Sequence, residues 1–380
     1  MTETQKRLIY ITGTRADFGK LRSLIEASIA NDAYEVHIFV TGMHMLRKYG
    51  YTMNEIEKRN YQYVHTFINQ NQNDTMDSIL GKTISGLSDY CKEVQPDMII
   101  IHGDRVEAMA GAIVGSLNNI LVGHIEGGEL SGTVDDLLRH ATTKLSHIHF
   151  ATNQKAKRRL VQLGEHPNSI RVIGSPDVDI IKEGNLPSLK ELKDYYHIPF
   201  NAYSVMIFHP VTTERADIPR QAKELVDAMI TSQKNYVVIF PNNDHGNNDI
   251  IKEYERLKHN NRFLIFPSMR FEYYLALIKN ADFMIGNSSS GLMEAPYFGT
   301  PAINLGSRQD SRDRHENVID SPLDQKEILN TIKLYPKYRK EAVTPFGEGN
   351  SADLFMKLLT EEGFWSTSPQ KKFFDLPPQT

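Results

Sequence analysis

Short runs rich in Ile and Val recur along this chain, and longer segments whose apolar residues return with helical period lie between them. That alternation constrains the fold more than any other feature, because it predicts repeated βα units feeding a parallel sheet. In the first half the runs predict strands at 7–12, 35–40, 61–67, 97–101, 120–124, 148–151 and 170–173. Helices are predicted for "DFGKLRSLIEASIA" from Asp17, "DSILGKTISGLSDYCKEV" from Asp77 and "VEAMAGAIVGSL" from Val106.

The alternation then breaks. The polar stretch "IKEGNLPSLKELKDYYHIPFNAYS", with Pro187 and Pro199, reads as a linker. Strands resume at 205–209, 236–240, 263–266, 283–285 and 302–305. A chain of 380 residues suits two domains of ordinary size. The expected fold class is α/β, with two Rossmann-like domains facing across a cleft. Their expected bounds are 1–182 and 183–365, followed by a Pro-rich tail, 366–380, expected to pack loosely.

Bulk chemistry narrows the function classes. Hydrophobic content of 40% and charged content of 24% are those of a soluble globular protein. A net charge of −4, with Lys and Arg spread along the chain, points away from nucleic acid and from anionic membranes. The single cysteine, Cys91, excludes an intramolecular disulfide and a cysteine metal cluster. There is no apolar signal core and no run of membrane-spanning length, so a cytoplasmic location is expected.

Unusual chemistry follows nearly every strand, where open α/β sheets bind their ligands. The followers are "TGTRADFGK", "TGMHM", "HGDRVEA", "HIEGGELSG", "HPVTTE", "PNNDHG", "GNSSSGLMEA" and "LGSRQDSRDR". Ser288, Ser289 and Ser290, followed by Gly291, stand where a helix is expected to begin, offering N–H groups to an anion, though one serine there would also be an ordinary cap. Arg15, Arg105 and Arg308 sit in glycine-containing loops after strands and match phosphate oxygens as a set. No Walker A sequence is present and no G-x-G-x-x-G follows the first strand, so the anion is expected to belong to a sugar nucleotide.

The acids gather elsewhere. His124, Glu126, Glu129, Asp135 and Asp136 crowd a loop bare of side chains, and Asp104 follows the preceding strand beside His102. No H-E-x-x-H or other tight ligand spacing supports a metal. Carboxylates at several strand ends suit proton transfer, with repulsion and burial expected to raise at least one pKa. His37, His147 and His149 read as ordinary core histidines.

"TGTRADFGK", "HGDR", "HIEGGE", "GTVDDLLRHATTKLSHIHF", "IGNSSSG" and "GTPAINLGSRQ", in this order, resemble the hydrolysing UDP-N-acetylglucosamine 2-epimerases of bacterial sialic acid synthesis. The resemblance runs from about Lys6 to about Arg314. The non-hydrolysing branch typically carries an E-A-G-L-R-T stretch where this chain has "HIEGGELSGTVDD". The resemblance implies a GT-B-like fold, a UDP-sugar substrate, a UDP product, no metal or other cofactor, and a homodimer or homotetramer. Catalysis is implied for Asp104, Glu126 and Asp135, with His44, His124 and His209 at further catalytic positions. Nucleotide binding is implied for Arg15, Lys20, Arg105, His209, Asn242, Ser288, Ser289, Glu294 and Arg308, with Glu294 suited to ribose hydroxyls. The family reaction eliminates UDP across C1–C2 and then hydrates the 2-acetamidoglucal with C2 inverted. Another nucleotide sugar, a GT-B glycosyltransferase and a silent nucleotide-sugar sensor remain open alternatives.

Overall fold

The computed structural model describes residues 5–71 and 74–376. It contains two parallel sheets flanked by helices, so the α/β class holds. The chain divides into two compact units. Unit 1 comprises Met1–Glu129, Asp135–Glu183 and Phe346–Thr380, and unit 2 comprises Leu130–Val134 and Gly184–Pro345.

The sheet of unit 1 has seven strands: β1 (Lys6–Thr12), β2 (Tyr34–Val40), β3 (Tyr63–Thr66), β4 (Met98–His102), β5 (Leu121–Ile125), β6 (Ile148–Ala151) and β7 (Ile170–Val172). Their order is β3-β2-β1-β4-β5-β6-β7. Strands such as Met98–Ile101 are buried on both faces, as parallel strands covered by helices must be. Thr14 and Asp17 form a reciprocal capping box that starts the helix Arg15–Ile29 directly after β1.

Unit 2 is built on β8 (Ser204–Ile207), β9 (Tyr236–Ile239), β10 (Phe263–Phe266), β11 (Met284–Gly286), β12 (Ala302–Leu305) and β13 (Val318–Ser321), in the order β10-β9-β8-β11-β12-β13. Both orders reverse direction once, between β1 and β4 in unit 1 and between β8 and β11 in unit 2. Those reversals are where doubly wound sheets open a crevice at the carboxyl ends of their strands.

Two expectations are corrected. The second unit ends at Pro345 rather than 365, because the helix Ser351–Leu359 returns to unit 1. Asp179 caps that helix, accepting from the N–H groups of Ser351 and Ala352 at 2.8 Å each, and Phe355 packs edge-on against Phe150. The described part of the tail, 366–376, is not loose either, and 377–380 lie outside the described residues. It is pinned to unit 1, with Phe374 N–H donating to Gly164 O at 2.9 Å. Among the described residues no helix is long and apolar enough to cross a membrane.

Candidate active site

In unit 1 the segments after β4 and β5 bring the expected carboxylates around Arg139 in one charged cluster. Glu126, the residue after β5, has φ +62, a left-handed conformation that a side chain with a Cβ rarely adopts. Two backbone bonds hold it there: its N–H donates to Phe150 O at 3.1 Å, and its carbonyl accepts from Arg139 Nη1 at 2.8 Å. Its carboxylate is 4% exposed and surrounded by donors. Oε1 accepts from Lys20 Nζ at 3.0 Å and Ser175 Oγ at 2.8 Å, and Oε2 lies 3.2 Å from His102 Nε2.

Burial alone would raise the pKa of Glu126. Lys20, His102 and Arg139 together outweigh it and hold the carboxyl well below its ordinary 4.5. The expectation of a raised acid is therefore reversed at this residue, which stays ionised near neutral pH. Lys20, expected at the nucleotide, lies beside Glu126 in this structure. Its ammonium is buried between Glu126 and Asp177, so its charge is neutralised within unit 1.

Arg139 organises the rest. It projects from the helix Val134–Leu145, is 2% exposed, and donates through Nη2 to the carboxylate of Asp104. Burial disfavours its charge, yet Asp104, Glu126, Glu129 and Asp135 raise its pKa further. Asp135 stands in the first turn of the same helix. Glu129 is satisfied structurally, by Thr152 Oγ1 and by Asn153 Nδ2 at 3.2 Å. Sequence reasoning passed over Arg139, although it lies within "GTVDDLLRHATTKL". An arginine one turn along a helix from Asp135, on its inward side, was the available signal.

Two of the three histidines assigned to catalysis, His124 and His44, are bonded inside unit 1. His124 Nε2 donates to Gly103 O at 2.8 Å, and its Nδ1 accepts from Thr143 Oγ1 at 3.2 Å. Burial pushes its pKa down to about 3, so it is neutral. His44 is bracketed by Thr12 Oγ1 at 3.0 Å and Thr52 Oγ1 at 2.7 Å, with burial lowering its pKa to about 4. Neither meets solvent. His147 and His149 are core residues as expected, each with a fixed partner.

Among the expected arginines of unit 1, Arg15 opens the helix after β1 and reaches Glu55 at 3.9 Å. Arg105 follows Asp104 and donates from Nε to the buried Glu107 at 3.2 Å.

Unit 2 gathers a second polar group at its own reversal. Gly286, at the end of β11, has φ +133, and a Cβ there would lie 1.8 Å from Ile207 O. Only glycine lets β8 and β11 close up at this point. The next residue, Asn287, is 1% exposed and clasps the backbone of His209. It accepts from His209 N–H at 2.6 Å and donates to His209 O at 2.8 Å. Its own carbonyl accepts from Gln309 Nε2 at 2.8 Å and Arg308 Nη1 at 3.4 Å. His209 Nδ1 accepts from the N–H of Asn242 at 3.0 Å, which leaves the ring proton on Nε2. His209, Arg308 and Asn242 are thus brought together by Asn287, which sequence reasoning did not single out.

The serine motif departs from expectation. Ser288 accepts from Ser290 N–H at 3.3 Å, but the turns that follow are 3-10, Ser289–Gly291 and Ala295–Phe298, and no α-helix begins here. Gly291 disfavours helix, and Pro296 lacks the N–H that a continuing helix needs. The anion-binding potential rests on turn N–H groups instead. Glu294 lies between the two turns, 3% exposed. Among the described residues no group of His, Cys, Asp and Glu is arranged to hold a metal ion.

A family model described as UDP-N-acetylglucosamine 2-epimerase matches residues 27–360. The UDP-N-acetylglucosamine 2-epimerase of Neisseria meningitidis serogroup B is 46% identical over 98% of this chain and 99% of its own length. The hydrolysing UDP-N,N'-diacetylbacillosamine 2-epimerase of Legionella pneumophila is 32% identical, over 93% and 95%. A crystal structure of the Methanocaldococcus jannaschii UDP-N-acetylglucosamine 2-epimerase, in complex with UDP-N-acetylglucosamine and UDP, shares the fold. Its TM-score is 0.78 at 23% identity, over 93% of this chain and 99% of that one.

Proposed function

The chain belongs to the UDP-N-acetylglucosamine 2-epimerase family, and on that premise we propose that it is a hydrolysing 2-epimerase. It converts UDP-N-acetylglucosamine and water to N-acetylmannosamine and UDP, for sialic acid biosynthesis. The observation that carries this reading is the convergence of Asp104 and Glu126 on Arg139 at the carboxyl ends of β4 and β5.

The C2 proton is not next to a carbonyl and is a poor acid, so departure of the diphosphate leads. The C1–O bond breaks with its electron pair going to UDP. His209, donating through Nε2–H, and Arg308 receive the developing charge. Positive charge at C1 then acidifies C2–H, and even a weakly basic carboxylate takes the proton; Asp104 is assigned that role. Glu126, ionised before the water adds, stabilises the cationic C1 and accepts the proton of the water that adds there. The glucal turns over, and Asp104, its proton exchanged with solvent, returns a proton to the opposite face of C2, which completes the inversion, with Asp135 polarising the water.

A second reading has its own support. The Legionella relative is named for a diacetylbacillosamine substrate, so a 2,4-diacetamido sugar nucleotide is the alternative.

The test is proton NMR of the pure protein with UDP-N-acetylglucosamine in D₂O containing EDTA. Free UDP with N-acetylmannosamine deuterated at C2 is expected. UDP-N-acetylmannosamine with the nucleotide attached would refute hydrolysis. No turnover would transfer the assignment to the diacetamido sugar nucleotides.

A further inference from the structure

The C-terminal tail grips unit 1 at a place the reaction does not use. Lys371 Nζ donates to three carbonyls, Thr143 O at 2.8 Å, Lys144 O at 3.0 Å and Ser146 O at 2.6 Å. They lie at the C-terminal end of the helix Val134–Leu145, where carbonyls lack partners within the helix and the dipole favours a cation. The same ammonium pairs with Glu165 Oε2 at 2.5 Å. Glu165 is fully buried and is also met by Lys144 at 2.7 Å and His149 at 2.8 Å.

Two further anchors flank this one. His147 Nδ1 accepts from Val122 N–H in β5, so its Nε2 donates to Pro369 O at 3.0 Å. Phe373 lies on Gly164, where any Cβ would come within 2.3 Å of its ring.

The gripped helix is the one that carries Asp135 and Arg139. Thr143, whose carbonyl Lys371 holds, also hydrogen-bonds His124, which in turn holds the carbonyl of Gly103, next to Asp104. A continuous set of bonds therefore runs from the tail to the carboxylates at β4 and β5.

We infer that the tail is a positioning strap for the reaction, with Lys371 as the positioning residue. It fixes the helix Val134–Leu145 and so the placement of Arg139 against Asp104 and Glu126. This rests on the hydrolysing reading proposed above. Hydration of the glucal needs water and a proton donor aligned together, so a loosened helix lets the intermediate escape before capture.

The experiment compares Lys371→Met, which leaves Glu165 with Lys144 and His149, and Phe373→Ala, which frees the tail without removing a charge. Each is assayed for kcat, KM and the ratio of released 2-acetamidoglucal to N-acetylmannosamine, and amide exchange is followed across residues 138–145. The expected result is a loss of about tenfold or more in kcat with KM little changed, a higher glucal ratio, and faster exchange in that helix. A smaller active fraction alone cannot alter the ratio. Wild-type ratio and wild-type exchange in both variants would overturn the strap. Wild-type enzyme that makes no N-acetylmannosamine would remove the hydrolysing reading instead, while the exchange comparison would still decide whether the tail holds the helix.

Discussion

Lys20 and Glu126, 106 residues apart in sequence, form a buried ion pair with Nζ 3.0 Å from Oε1. The lysine comes from the helix after β1 and the glutamate from the end of β5, so the pair joins both sides of the strand reversal. With His102 and Arg139 it keeps Glu126 ionised, where burial would favour the neutral acid.

Lys20→Met should expose that tension. In the native protein the folded pKa of Glu126 lies below 4.5, so the stabilisation from its ionised form is present above about pH 4.5 and is lost as pH falls through the folded value. Without the ammonium, burial is opposed only by His102 and Arg139, and the carboxyl moves upward. The acid limb of kcat/KM should move toward neutral pH with it. Superimposable acid limbs in the two proteins would show that Lys20 does not set this ionisation.

Arg139→Lys keeps a charge but loses the fork that serves Asp104 and the Glu126 carbonyl together. A fall in kcat on the order of 10²-fold is expected from the misplaced carboxylates. UDP affinity, for which His209 and Arg308 of unit 2 are proposed, should hardly change. Arg139→Met, which strands Asp104 and its fellow acids without a counter-charge, should cost stability by about 3–5 kcal/mol in urea unfolding. A kinetically silent Arg139→Lys would remove the arginine from the catalytic arrangement.

Asn287 is expected to matter for UDP rather than for proton transfer. Asn287→Leu breaks both bonds to the His209 backbone and leaves a buried N–H and carbonyl unmet. His209 and Arg308 then lose their fixed placement. Calorimetry with UDP should show affinity weakened by roughly tenfold. Native affinity would place the UDP-binding groups elsewhere.

The strands were legible because parallel strands buried on both faces must be almost continuously apolar. Every strand but β13 overlaps a run expected as a strand, although the edge strand β3, "YVHT", holds a single Val and is not buried. β13, "VIDS", is an edge strand whose Asp320 is exposed and paired with Arg314, so its run looked too short and polar. The candidate carboxylates were legible from their place after β4 and β5. Their partners were not: Lys20, Arg139 and Ser175 reach them from 106, 35 and 49 residues away, and no local pattern encodes such distances. The surroundings of His44 and His124 were illegible for a related reason. A histidine at a strand end looks the same in sequence whether its nitrogens face substrate or two threonines and a backbone carbonyl.

Gly286→Ala should be among the most damaging single-methyl changes in unit 2. The added Cβ meets Ile207 O at 1.8 Å on a backbone at φ +133. A loss of roughly 3 kcal/mol or more is expected, lowering the melting temperature by roughly 6–12 °C. Gly81→Ala is the opposite case. It lies exposed in the helix Met76–Val94, with nothing within 4 Å of the new Cβ, and should stabilise by about 0.5–1 kcal/mol. Equal effects from the two changes would contradict the close approach of β8 and β11.

The carboxylates themselves give the sharpest test of the proton chemistry. Asp104→Asn, Glu126→Gln and Asp135→Asn should each lower turnover by about 10²-fold or more while the protein stays folded. They should differ in what becomes slow. If Asp104 removes the C2 proton, Asp104→Asn makes that step rate-limiting, and substrate deuterated at C2 then shows a larger isotope effect than with the native enzyme. Glu126→Gln removes the ion that stabilises C1 and accepts the proton of water, so it should let 2-acetamidoglucal accumulate. Asp135→Asn, which alters the polarised water, should slow hydration without changing the isotope effect on proton removal. Near-native turnover in all three would rule out the carboxylate mechanism, and an unchanged isotope effect in Asp104→Asn would move the role of base to another residue.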